Sequence, residues 1–205
     1  MVWAEVTSPK EFAELIERIA KTCDVIAAVA TDCLQVSTAV AEAKARGVAT
    51  FSLLSDFAQD VRAGYFGANN LKVGRSAAWM IANTAKRVGK VGLFVGGSRW
   101  HGHALRETGF RSYFREHAPQ FQVIESVTNL ETRKLTYEAA GEDMSVVVNE
   151  IMPETISGMA EGLVTAVQVT PLDDICRNLI VSMSGSVIEK TFEKPGQVFY
   201  ISENI

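Results

Sequence analysis

No apolar run in this sequence approaches the roughly 18–20 residues that a membrane span needs, so no segment reads as crossing a bilayer. The opening residues, MVWAEVTSPKEF, lack a charged stretch followed by an apolar one, so they do not read as a signal peptide. Cysteine is scarce. Cys23, Cys33 and Cys176 are odd in number and widely spaced, and no Cys-x-x-Cys occurs. That argues against a secreted disulfide scaffold or a zinc knuckle, and for a reducing, cytoplasmic compartment. There is no basic block either. The 20 Lys+Arg against 24 Asp+Glu leave a net charge of -4. Without clustered cations to neutralise phosphates, the chain by itself is a poor nucleic-acid binder. Internal repeats, low-complexity tracts and linker-like compositions are all missing.

Catalytic signatures are missing too. GLFVGGSRWHGHA contains glycines after a strand-like run, but it is neither GxxxxGK[ST] nor GxGxxG. It is not GxSxG, because Trp100 stands where the second glycine belongs. The simplest reading is a turn that hands a strand over to a helix. His101 and His103 lie two apart with no third ligand type nearby, so they rim a pocket or surface more naturally than they bind metal. His117, at the end of a helix-like stretch, suits the negative end of a helix dipole.

What is present is a globular chain of 205 residues, 47% hydrophobic and 21% charged. At this size folding buries roughly 70% of the unfolded surface, so no staple is required. The composition excludes disordered, collagen-like and coiled-coil classes.

Strand-like and helix-like segments alternate. Ser8, Pro9 and Glu11 read as the start of a helix over 9–22, with Phe12, Leu15, Ile16 and Ile19 on one face. Apolar runs predict buried strands at 25–30, 49–54, 91–95 and 165–169, with further strands at 2–6, 64–68, 121–127, 145–149 and 197–201. Helices are expected over 34–46, from Asn70 to about Arg87, over 102–117, 132–140 and 153–162, and after Pro171. The last of these carries Leu172, Ile175, Cys176, Leu179, Ile180 and Met183 on one face. Trp79, Phe110 and Phe114 fall within helices and read as core. Strand–helix–strand units with continuous apolar strands predict an α/β protein whose parallel sheets are flanked by helices.

Ligands in such folds bind beyond the carboxyl ends of the strands. That rule selects Thr31–Asp32, Ser55–Asp56, Asn69–Asn70, Gly96–Ser98, Asn149–Glu150 and Gln168–Pro171. Asp56 and Glu150 are the carboxylates best placed to accept hydrogen bonds there, from sugar hydroxyls for example. No nucleophile–base pair accompanies them, so a small-molecule enzyme is the weaker alternative and no cofactor is expected.

The segments YFGANNLKVGRSAAWMI (65–81) and VGLFVGGSRWHGHALRETGFRSYFRE, then VVVNEIMPETISGMAEGLVTAVQVTPLDDICRNL and the closing VFYISENI, form a pattern. It resembles the effector-binding domain of the lac repressor (LacI/GalR) family, which shares the fold of periplasmic sugar-binding proteins. The resemblance implies a two-lobed α/β fold of the type I periplasmic-binding-protein kind. Residues 1–68 and 171–195 would make the first lobe, and 70–167 and 197–205 the second, with a ligand cleft closing at the crossovers.

By the resemblance, Arg106 is the arginine that grips effector hydroxyls, and Glu150 accepts from the sugar. Ser55 and Asp56 lie on a loop reaching the cleft. Asn69 replaces a frequent Asp, and Gln168 and Pro171 fall on the second crossover. No helix-turn-helix headpiece is present. The first strand and helix of the usual domain are missing before Met1, and only GEDM stands between Ala140 and Ser145, where another strand and helix are expected. The implied function is sensing a sugar or polyol for a bacterial transcription regulator. It would be a homodimer that meets operator DNA only through a headpiece absent here, with no membrane partner. A solute-binding protein of a sugar transporter is the alternative.

Overall fold

The computed structural model describes residues 8–96, 100–128, 145–185 and 198–200. The expected strand at 2–6 and the expected helix at 132–140 lie outside them. The described chain divides into two compact units. The first holds residues 8–68, 100–101 and 171–185; the second holds 69–96, 102–128, 145–170 and 198–200.

The first unit opens with α1 (Pro9–Ile19), whose N-cap Ser8 accepts a hydrogen bond at Oγ from the Glu11 N–H at 3.2 Å. The helix is shorter than the expected 9–22, because Ala20 caps it and residues 21–22 form a turn. Next come β1 (Val25–Ala28), α2 (Leu34–Ala45), β2 (Ala49–Leu53) and β3 (Gly64–Phe66). The three strands are parallel in the order β1-β2-β3, with Val25 beside Ala49 and Phe51 beside Gly64. Gly47, at φ +84°, ends α2 in the left-handed region that a side chain would resist. Phe12, Ala13 and Ile16 of α1 pack with Val36, Ala39, Val40 and Ala43 of α2 and with Ile26 of β1. Small alanines let these helices approach closely while the larger side chains exclude water.

The second unit contains α3 (Asn70–Thr84), β4 (Lys90–Val95), α4 (His101–His117, from Gly102 onward), β5 (Gln122–Thr128), β6 (Val147–Asn149), α5 (Pro153–Ala160), β7 (Ala166–Val169) and β8 (Val198–Tyr200). β4 pairs with β5 in parallel, with a register shift between Val91 and Leu93. β6 and β7 are also parallel, whereas β8 joins β7 antiparallel, an edge that the strand–helix alternation did not foretell. Ala78, Val91, Phe110, Phe114 and Ala118 form the core of this unit. Phe110 and Phe114 are buried as expected; Trp79 is not, and stands half exposed on α3.

The chain returns to the first unit as α6 (Leu172–Gly185), which lies against β1 and β3. Its buried face is Ile175, Leu179 and Ser182, while Leu172, Cys176 and Ile180 are exposed. At 3.6 residues per turn the apolar arc spans roughly 140°, wider than the sheet covers. Apolarity therefore marked the arc and not its buried half.

The architecture is the periplasmic-binding-protein-like α/β fold, with parallel sheets flanked by helices. Its strands run in one direction within β1-β2-β3, within β4-β5 and within β6-β7. Their carboxyl ends therefore gather polar loops at one rim of each sheet.

Candidate functional site

In the second unit the site is built by two helices that nearly touch. A Cβ on Gly74 of α3 would lie 1.9 Å from the Arg106 carbonyl oxygen, and one on Gly109 of α4 would lie 2.0 Å from that of Leu71. Only glycine fits at either position. The close crossing brings the first turn of α3 beside the second turn of α4. There the Arg106 Nε–H donates to Asn70 Oδ1 at 2.7 Å. Asn70 is buried, and a Cβ on Gly102 would meet its amide at 2.9 Å. Three glycines thus make room for one Arg–Asn pair.

Neighbouring residues of the same motifs have other tasks. Asn69 caps α3, its side chain accepting from the Lys72 N–H at 3.1 Å. Arg75 donates to Ser112 Oγ and Glu116 Oε2 on α4, at 2.9 and 2.8 Å. Arg111 joins Glu107 to Ser126 and to the Ile124 carbonyl on β5. The Ser126 hydroxyl and the Arg111 guanidinium, donating to Glu107, hold its carboxyl below the ordinary range. Arg75 does the same for exposed Glu116.

Glu150 follows β6 at φ +73°, a left-handed conformation unusual for a residue of its size. Its N–H donates to the Gln168 carbonyl at 2.8 Å. Its carboxylate takes the Thr170 hydroxyl on Oε1 at 2.5 Å and the Thr170 N–H on Oε2 at 3.4 Å. A carboxylate offers about four lone-pair sites, so this anchoring fixes its direction and leaves capacity to accept further donors. Gln168 sits inside β7 opposite Asn149, with its side chain buried. Pro171 opens the return to the first unit, its carbonyl accepting from the Ile175 N–H at 3.1 Å in the first turn of α6.

In the first unit, Asp56 is engaged by its own loop. Arg62 grips it through Nε on Oδ1 at 2.6 Å and Nη2 on Oδ2 at 2.9 Å, and the Ser52 hydroxyl donates to Oδ1 at 2.9 Å. Asp32 Oδ1 accepts from the Ala58 N–H at 3.1 Å and so ties the β1 and β2 loops together. Ser55 is buried beside Asp56, and its hydroxyl has no hydrogen-bond partner among the described residues. The same holds for Thr31, after β1.

The structure thus places Arg106 and Glu150 in the second unit, each held by a partner that the sequence singled out only as part of a loop. Asn70 was legible only as the second half of Asn69–Asn70, and Thr170 only as part of the Gln168–Pro171 stretch. Arg62 gave no signal, because its bond to Asp56 depends on how the loop folds back. Among the described residues, no group of three or more His, Cys, Asp or Glu side chains is arranged to hold a metal.

Comparison with solved structures places the same fold in sugar-binding and regulatory proteins. A solute-binding protein of an ABC transporter from Burkholderia graminis, in complex with D-arabinose, superposes with a TM-score of 0.83 at 16% identity, over 99% of this chain and 84% of that one. GanP, a glucose-galactose binding protein from Geobacillus stearothermophilus, gives 0.85 at 14% identity, over 97% and 84%. A protein assigned as a LacI transcriptional regulator from Bacteroides fragilis gives 0.77 at 15%, over 97% and 82%. No curated protein matches in sequence. Residues 2–175 match the family described as the periplasmic binding protein domain, most of the chain, and the protein therefore belongs to that family.

Proposed function

We propose that the chain reversibly binds a small polyhydroxylated ligand, a sugar or polyol, and that it does so as the effector-sensing part of a bacterial transcription regulator. The observation that carries the binding reading is the pair of oriented groups in the second unit. Arg106, aimed by Asn70, is a fixed donor. Glu150, aimed by Thr170, is a fixed acceptor. Vicinal hydroxyls are recognised by such planar groups, a guanidinium donating in a fork and a carboxylate accepting two donors. The sugars bound by the Burkholderia and Geobacillus proteins support this ligand class.

The sensing mechanism is a population shift. A ligand favours whichever conformation of the protein holds it best, and a DNA-binding headpiece in the full protein would respond to that conformation. The three free thiols, two of them exposed, suit a reducing cytoplasm. A second reading, a solute-binding protein for sugar import, is favoured by transporter proteins among the structural relatives. A headpiece encoded upstream in the same reading frame supports the regulator; a signal peptide there supports the transporter.

Titration calorimetry against a panel of pentoses, hexoses and polyols tests the binding. A saturable enthalpy with at least one member is expected. Arg106→Ala should weaken that ligand by on the order of 2–5 kcal/mol, because it removes a charged contact and leaves the partner groups unpaired. A folded protein that binds no panel member would overturn the reading.

A further inference from the structure

We draw no further inference here: the strongest candidate, the exposed row of Leu172, Cys176 and Ile180 along the outer face of α6, carries no proposal because nothing in the structure shows what covers it.

Discussion

The polar residues of this protein differ in what they face, and that decides what each can do. Asp56 and Glu150 look alike in sequence, each a carboxylate at a strand end. Asp56 is gripped at both oxygens by Arg62, while Glu150 is only steadied by Thr170. The difference lies in side chains six and twenty residues away, which no local pattern encodes. Asn69 and Asn70 are a similar case: the first caps a helix, and the second meets Arg106. Glu107 shows the same dependence on partners through its acidity. Hydrogen bonds from Ser126 and Arg111 lower its pKa in the folded state from the ordinary 4.5. Its contribution to stability is therefore present above that ordinary value and is lost as pH falls through the lowered one. Glu107→Gln should be less stable than wild type at pH 6. The gap in urea midpoint between them should close as the pH is taken from about 4.5 toward 3. A gap that persists unchanged at the lowest pH would show that the carboxylate's charge is not what stabilises α4 against β5.

At the scale of elements, most of the fold was legible because helices and buried strands carry different periods. Ser8–Pro9–Glu11 announced α1, and continuous apolar runs announced β1, β2 and β4. Packing partners were not legible. The apolar residues of α6 read as one face, but the pattern does not say how much of that face is covered, and only Ile175, Leu179 and Ser182 are buried. Trp79 was read as core and stands half exposed. The glycines of the two motifs are explained only by a second helix. Gly74 and Gly109 each lie against the other helix's backbone. Gly→Ala inside a helix gains about 1 kcal/mol in propensity. Here a methyl would overlap a carbonyl oxygen, and such overpacking costs about 3 kcal/mol. The overlap wins. Gly74→Ala and Gly109→Ala should each lose about 2 kcal/mol, which for a unit of about 100 residues lowers its Tm by roughly 8–16 °C. Either should also weaken ligand binding, since the helix separation sets the Arg106–Asn70 bond. An unchanged melting point would show that the helices part without cost.

For the whole molecule, the decisive feature is that each unit has its own core. Phe12, Ile16, Val36 and Val40 belong to one, and Phe110 and Phe114 to the other. Units with separate cores need not unfold together, so a calorimetric scan of the free protein should resolve two transitions or one broadened beyond two-state width. A ligand bound only by the native state at 100 times its Kd adds about 2.7 kcal/mol. At roughly 4–8 °C per kcal/mol for a unit of about 100 residues, that is a shift of about 11–22 °C in the transition of the unit that holds the ligand. Which transition moves reports which unit holds the ligand. Arg106 and Glu150 both lie in the second unit, so the sugar found by calorimetry should raise that unit's transition. Arg106→Ala should remove the shift while leaving the first unit's transition where it was. A shift confined to the first unit's transition, or one that survives Arg106→Ala, would mean that Arg106 and Glu150 are not what holds the sugar.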